Sequence, residues 1–250
     1  MTLSDFFTEH SKLALAFSGG VDSAYLLYAA RQHGANVKAY YVRTAFQPRF
    51  EYEDACRLAD TVGAPMRVIE LDILCDPVIA SNPPGRCYHC KKKLFSAIIR
   101  AAKEDGYPLL IDGTNASDDA SDRPGMRALQ ELSVLSPLRL CGLTKQQVRS
   151  LSREVGLFTW NKDAYACLAT RIPTGTPILS EDLQRTELAE DSLRQLGFSD
   201  FRVRLMGKTA RLQVPASQLE AVLEHRQAIL SYLKQHYQGV VLDLEVRNEQ

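Results

Sequence analysis

An α/β fold with a mostly parallel sheet, followed by a small C-terminal α+β module, is predicted by three features of this 250-residue sequence. Strand-length apolar runs alternate with helix-length amphipathic runs before Thr170, the pattern of repeated βα units. The first of these runs, Leu13–Phe17, passes directly into the Gly-rich turn Ser18-Gly19-Gly20. Between Thr170 and Pro177, Pro173, Gly175 and Pro177 break any period, and the alternation changes character. We therefore expect one domain over residues 1–172 and a second over 173–250.

Taken in order, Leu13–Phe17 has no polar face and suits a strand buried on both sides. Asp22 and Ser23 open a helix with Ala24, Leu27 and Tyr28 on one face. Val37–Val42 reads as a strand, Tyr52–Val62 as a helix and Met66–Leu71 as a strand. A helix from near Lys91, a strand at Leu109–Ile111 and a helix over Lys145–Val155, capped by Thr144, complete the sheet domain. Ligands of such sheets bind at the C-terminal ends of the strands. In the second module Glu181–Leu196 is a helix stopped by Gly197, and Phe201–Leu205 pairs with Ala210–Val214 as a hairpin. Leu219–Leu233 and Val240–Val246 follow as a helix and a strand.

Thirty acidic and thirty basic residues give zero net charge, so no overall field draws the chain to nucleic acid or to an anionic membrane. Met1–Glu9 lacks a basic segment ahead of an apolar one, and no apolar run is long enough to cross a bilayer. A cytoplasmic protein is expected, with neither nucleic acid nor membrane as partner. Its six cysteines then read as reduced thiols. Cys56, Cys75 and Cys141 show no ligand spacing.

The turn Ser18-Gly-Gly-Val-Asp-Ser23 points backbone N–H groups outward at a helix N-terminus, which is an anion site. It lacks the Gly-Lys-Ser/Thr end of a Walker loop and the three spaced glycines of a dinucleotide fingerprint. It resembles the SGGxDS signature of the PP-loop ATP pyrophosphatases, enzymes that release pyrophosphate and leave AMP on their substrate. That resemblance implies ATP held through Ser18, Gly19, Gly20 and Ser23, with Asp22 helping to place magnesium.

Three further stretches carry chemistry. In Arg86-Cys-Tyr-His-Cys-Lys-Lys-Lys93, Cys87 and Cys90 are spaced to converge on one metal, and the helix start with its cations favours thiolates. A lone C-x-x-C fits a redox pair, half a zinc site or part of an iron–sulfur site. Asp112–Gly125 follows a strand: Gly113–Asn115 are placed to line the nucleotide, and Asp118, Asp119 or Asp122 to reach magnesium or, through Arg123, the substrate. A solvated loop with Asx turns accounts for those aspartates equally well. Finally, Trp160–Pro177 brings Cys167 and Arg171 to the end of the sheet domain. Alone they read as a small buried residue and a surface cation; beside an adenylating site Cys167 becomes a candidate sulfur donor or acceptor.

Together SGGVDS, RCYHCK, DGTNASD with DRPGMRAL, SPL followed by GLTKQQVR, ACLATRIPTGTPI and LGFSDFRVR resemble, over nearly the whole chain, the ATP-dependent sulfur transferase family LarE. The resemblance implies a pyridinium dicarboxylate mononucleotide as substrate, its carboxylates adenylated and then made thiocarboxylates for a nickel-pincer nucleotide cofactor. In single-cysteine members the residue matched by Cys167 gives up its own sulfur. Cys87 and Cys90 depart from that pattern and resemble the three-cysteine form, in which Cys87, Cys90 and Cys167 hold a 4Fe–4S cluster whose free iron binds sulfide. Arg171, Arg202 and Arg204 match basic positions that face the substrate phosphate or the nucleotide, and the likeness implies a homo-oligomer. A PP-loop tRNA thiolase shares the adenylation chemistry but is disfavoured by the neutral charge balance. A non-catalytic nucleotide or metal sensor is disfavoured by the intact loop and full cysteine set.

Overall fold

The computed structural model describes residues 1–118 and 124–247. Its strands are β1 (Lys12–Ala16), β2 (Asn36–Arg43), β3 (Met66–Glu70), β4 (Leu110–Ile111), β5 (Arg202–Met206), β6 (Thr209–Gln213) and β7 (Gly239–Leu242). The helices before Thr170 are α1 (Leu3–Glu9), α2 (Val21–Gln32), α3 (Arg49–Val62), α4 (Pro77–Ala80), α5 (Arg86–Glu104), α6 (Pro124–Glu131), α7 (Pro137–Leu140) and α8 (Lys145–Glu154). After it come α9 (Ser180–Gln195), α10 (Leu219–Glu224) and α11 (Arg226–Leu233). The chain divides into two compact units: residues 1–44, 49–72 and 85–162 form the first, and residues 45–48, 73–84 and those from Asp163 onward form the second.

In the first unit the strand order is β3-β2-β1-β4, every pairing parallel. Alternate residues feed the two faces, as the strand period requires. Leu13, Leu15, Val37, Ala39 and Tyr41 pack with α2 on one side. Ala14, Tyr40 and Val42 pack with Phe95 and Ile98 of α5 on the other. The chain moves outward from β1 to β2 to β3, then returns to add β4 on the far side of β1, so the topological switch lies between β1 and β4. Loops leaving those two strands flank the crevice where open α/β sheets bind ligands.

The doubly covered parallel sheet agrees with the expected fold class, while the burial of one helix and three boundaries differ for local reasons. Helix α2 is buried around most of its circumference, not along one stripe. Helix α5 starts at Arg86 rather than near Lys91; Gly85 is its N-cap, and Pro83 and Pro84 keep the preceding chain out of the helix. The expected helix over Leu219–Leu233 is divided at His225, whose ring packs edge-on to Phe198 at 5.9 Å. Strand β7 ends at Leu242, because the Asp243 carboxylate accepts from the Gln213 amide at 2.7 Å and folds back on the Glu245 N–H at 3.2 Å.

The second unit carries a three-stranded sheet of order β5-β6-β7, antiparallel in the hairpin and parallel in the last pair. Helix α9 buries Leu183, Ala189 and Leu193, and Gly197 closes it at φ +90°. Among the described residues no helix is long and apolar enough to cross a membrane.

Candidate active site

The first unit places the Gly-rich turn that follows β1 at the switch point. Gly19 adopts φ +71° and lies so close to Ala55 of α3 that an added Cβ would stand 3.0 Å from the Ala55 Cβ. Gly20 is the N-cap of α2 and has no side chain with which to close the helix end. The two serines brace the turn from within: Ser18 Oγ and Ser23 Oγ are 3.1 Å apart, and Ser23 donates to the Gly20 carbonyl at 3.1 Å. Ser23 is buried and Ser18 exposed, so of the two hydroxyls Ser18 faces the solvent side of the loop.

The loop after β4 closes over the same point. A Cβ at Gly113 would stand 2.8 Å from the Ser23 nitrogen, so backbone passes against backbone where α2 begins. Asp112 spends its carboxylate locally, accepting from Thr114 Oγ1 and Ser136 Oγ at 2.6 Å each. Asp118 accepts from the Asn115 N–H at 3.0 Å, and the Asx turn in this loop belongs to Asn115, whose Oδ1 accepts from the Ser117 N–H at 2.8 Å. Asp119, Asp122 and Arg123 lie outside the described residues. Asn115 Nδ2 donates to Asp22 Oδ1 at 3.2 Å, and Lys145 Nζ donates to Asp22 Oδ2 at 2.5 Å. Asp22 thus pairs with the Lys145 ammonium through one oxygen and accepts from the Asn115 amide through the other.

Cys87 and Cys90 ride on the opening turns of α5, three residues apart and therefore on one side of the helix. Cys87 is exposed and Cys90 half-buried, and all six cysteines are thiols. The Arg86 guanidinium lies 3.9 Å from Cys87 Sγ, at the N-terminal end of the helix. This donor pair suits half of a cluster. Among the described residues no three His, Cys, Asp or Glu side chains are grouped closely enough to hold a metal ion.

Cys167 belongs to the second unit, where it caps the tight turn Leu168–Arg171 and is half-buried. Its loop is held by arginines. Arg202 donates to the Ala164 carbonyl at 2.8 Å, Arg171 to Ala166 at 3.0 Å and Arg204 to Thr170 at 2.8 Å. Glu190 anchors the set: it accepts from Arg171 Nε at 2.7 Å, Tyr165 Oη at 2.6 Å and the Val203 N–H at 3.0 Å.

Burial opposes the Arg171 charge, but Glu190 outweighs it and leaves Arg171 above its ordinary range. Glu190 is held below the usual carboxylate range by Arg171 and Tyr165 in spite of its own burial. Arg202 is pushed down to about 10, by burial first and then by Arg171 and Arg247. The sequence presents Arg171, Arg202 and Arg204 as substrate-facing; in the structure each donates to the backbone around Cys167.

Sequence reasoning missed Glu190 and Lys145. Glu190 had a signal, since it falls in helical register with Leu183, Thr186 and Leu193 on the buried side of α9. Lys145 had a weaker one, a cation placed immediately behind a helix cap.

A strand entering a Gly-rich turn at the switch point of a parallel sheet, with no Walker lysine, defines the class of PP-loop enzymes, and comparison with known proteins narrows it to ATP-using sulfur transferases. Residues 11–113 match the family described as tRNA methyl transferase HUP domain. The chain is 32% identical over 236 residues to the pyridinium-3,5-bisthiocarboxylic acid mononucleotide synthase of Lactiplantibacillus plantarum, covering 93% of this chain and 86% of that one. It is 36% identical over 252 residues to the uncharacterized protein slr1717 of Synechocystis, covering 97% and 92%. A tRNA-specific 2-thiouridylase MnmA 2 of Clostridium botulinum is 29% identical over 182 residues, covering only 60% of this chain and 52% of its own length. The chain belongs to the LarE family.

Proposed function

We propose that this enzyme adenylates the carboxylates of a pyridinium-3,5-dicarboxylate mononucleotide and converts them to thiocarboxylates, on the way to a nickel-pincer nucleotide. The single observation that carries this reading is the cradle in which Gly113 meets Ser23 and Asp22 pairs with Lys145 beside the Ser18–Ser23 turn. The name of the L. plantarum relative supports the substrate. A carboxylate resists substitution because its leaving group would be oxide. Attack of a carboxylate oxygen on the α-phosphorus of ATP breaks the bond to the αβ-bridging oxygen, and pyrophosphate departs with that oxygen and its electron pair. The acyl carbon then carries AMP, a competent leaving group for an incoming sulfur nucleophile.

Ser18, Gly19, Gly20 and Ser23 hold the phosphates in this account, and Asp22 is the protein ligand of magnesium. Magnesium, when bound, supplies charge neutralisation between phosphate oxygens. For the sulfur we assign Cys87, Cys90 and Cys167 as ligands of a 4Fe–4S cluster, supported by the thiol pair on α5 and by the arginine-braced loop that presents Cys167. A cluster with three protein ligands supplies an open iron that takes up and gives off sulfide. The same reading makes the protein a cytoplasmic homo-oligomer acting on a small nucleotide, with residues 173–250 contributing to substrate binding.

Anaerobic reconstitution with iron and sulfide tests the assignment. Bound iron and inorganic sulfide should accompany repeated turnover, and Cys87→Ala or Cys90→Ala should abolish both. Sulfur transfer that survives either change while Cys167 becomes dehydroalanine would replace the cluster with a sacrificed cysteine.

A further inference from the structure

Strands β5 and β6 put Arg202, Arg204, Arg211 and Gln213 on one face of their pairing. Arg202 stands opposite Gln213 and Arg204 opposite Arg211, while Val203, Leu205, Ala210 and Leu212 fill the buried face. Like charges directly across a strand pair repel, so arginines gathered on one face destabilise it unless each has a counter-charge. Arg202 and Arg211 have one. Asp200 Oδ1 lies 3.6 Å from Arg202 Nη1, and Asp243 Oδ2 lies 3.4 Å from Arg211 Nε. Among the described residues no carboxylate touches Arg204, which burial first, then Arg171 and Arg211, hold below its ordinary range.

Arg204 has an amide and a carbonyl instead. Its Nε donates to Gln213 Oε1 at 2.5 Å and its Nη1 to the Thr170 carbonyl at 2.8 Å, and Nη2 has no partner among the described residues. Gln213 Nε2 donates in turn to Asp243 Oδ2 at 2.7 Å. Asp243 is itself fixed: its N–H donates to the Leu212 carbonyl at 2.8 Å, and its Oδ1 accepts from the Glu245 N–H at 3.2 Å. A guanidinium only donates and a carboxylate only accepts, so the two neighbours settle which end of the amide is oxygen. Of side chains this long, only glutamine can accept from Arg204 and donate to Asp243 at once. Glutamate would fit the same space, but it would repel Asp243 and cancel the Arg204 charge.

We infer that Gln213 is a positioning residue for substrate binding, which fixes the Arg204 guanidinium by its Nε edge without neutralising it and so leaves Nη2 to the phosphate of the pyridinium mononucleotide. This rests on the proposed function, which names that substrate. Hydrogen bonds between guanidinium and phosphate are charge-assisted and directional, so both the charge of Arg204 and its aim matter. A neutral tether preserves the first and sets the second. A carboxylate tether would satisfy the guanidinium before any substrate arrived. The Thr170 that receives Nη1 also donates through Oγ1 to the Cys167 carbonyl at 2.8 Å, so Arg204 is held against the turn that presents Cys167.

The test compares the full chain with Gln213→Glu and Gln213→Ala. Calorimetry follows binding of the pyridinium mononucleotide, of its dephosphorylated riboside and of inorganic phosphate, with circular dichroism and a urea midpoint recorded for each protein. The wild type should bind the mononucleotide more tightly than the riboside. Gln213→Glu should weaken the mononucleotide and inorganic phosphate by roughly 10- to 100-fold, the size of a hydrogen bond to a charged group, and leave the riboside unchanged. Gln213→Ala keeps the Arg204 charge and loses only its aim, so it should weaken the mononucleotide less, by about 5-fold. Packing alone predicts the reverse order, since glutamate fills the space of glutamine and alanine does not. Wild-type phosphate binding by Gln213→Glu would overturn the inference, as would an alanine variant weaker than the glutamate one, or equal wild-type affinity for mononucleotide and riboside. If the wild type binds mononucleotide and phosphate in this Gln213-dependent order yet forms no AMP, the sulfur-transfer reading fails and the positioning role of Gln213 stands.

Discussion

Arg171 and Glu190 meet at 2.7 Å with both side chains wholly shut off from solvent, and Tyr165 and the Val203 N–H complete the coordination of the same carboxylate. The pair joins α9, β5 and the loop that carries Cys167. Breaking it by Glu190→Gln leaves a buried guanidinium without its counter-charge and should cost ~3 kcal/mol in urea unfolding. Arg171→Met combined with Glu190→Leu should regain most of that stability, since an apolar pair of similar size often replaces a buried ion pair. Sulfur transfer should nevertheless stay low in the double variant, because the anchors at Tyr165 and Ala166 are gone; full activity there would make the pair purely structural.

Gly113 has no room for a side chain against the start of α2. Gly113→Ala forces the loop after β4 away from Ser23 at a cost of about 1–3 kcal/mol, as overpacking does. Calorimetry should show ATP affinity falling with it. Equal ATP binding by the alanine variant would remove this close approach from the account.

Gly20→Val places a β-branched side chain where the proposed function brings phosphate to the backbone, and Asp22→Ala removes the proposed magnesium ligand. Each should reduce pyrophosphate release roughly 10²-fold or more while the far-ultraviolet circular dichroism stays that of the wild type.

Arg202 and Arg204 donate to the carbonyls of Ala164 and Thr170, and each is pushed toward lower pKa by burial and by Arg171. Buried cations held below their ordinary range favour an anion brought to them. Inorganic phosphate should therefore raise the melting temperature of the wild type, and the double alanine variant should lose that rise together with affinity for the pyridinium nucleotide. Unchanged substrate affinity in the double variant would confine both arginines to holding the Cys167 loop.

At the opposite end of the sheet, Asp105 is held down to about 2 by Lys38 first, then by Tyr40 and Arg67. Its folded pKa lies below the unfolded value of about 3.9, so its contribution is complete above roughly pH 5 and drains as pH falls through about 2. Urea midpoints measured down that range should fall less steeply in Asp105→Asn than in the wild type.

The sheet was legible because its strands carry their own signals: Leu13–Phe17 is an unbroken apolar run, Val37–Val42 is interrupted only by Lys38, and Thr144 caps α8 in the structure. The phosphate loop was legible because its constraints are local, a positive φ at Gly19 and a bare N-cap at Gly20. The partnerships were not. Lys145 meets Asp22 across 123 residues, and nothing near either residue announces the other. Arg202 and Arg204 alternate properly along β5, yet strand period fixes only the face, not whether a guanidinium ends on a ligand or on a carbonyl of its own chain.

The most direct measurement is the fate of ATP and of the pyridinium nucleotide in one anaerobic reaction with added sulfide. Phosphorus NMR and mass spectrometry of the product should show AMP and pyrophosphate formed together with replacement of carboxylate oxygen by sulfur. ADP and phosphate as products, or pyrophosphate released only when tRNA replaces the pyridinium nucleotide, would contradict the account.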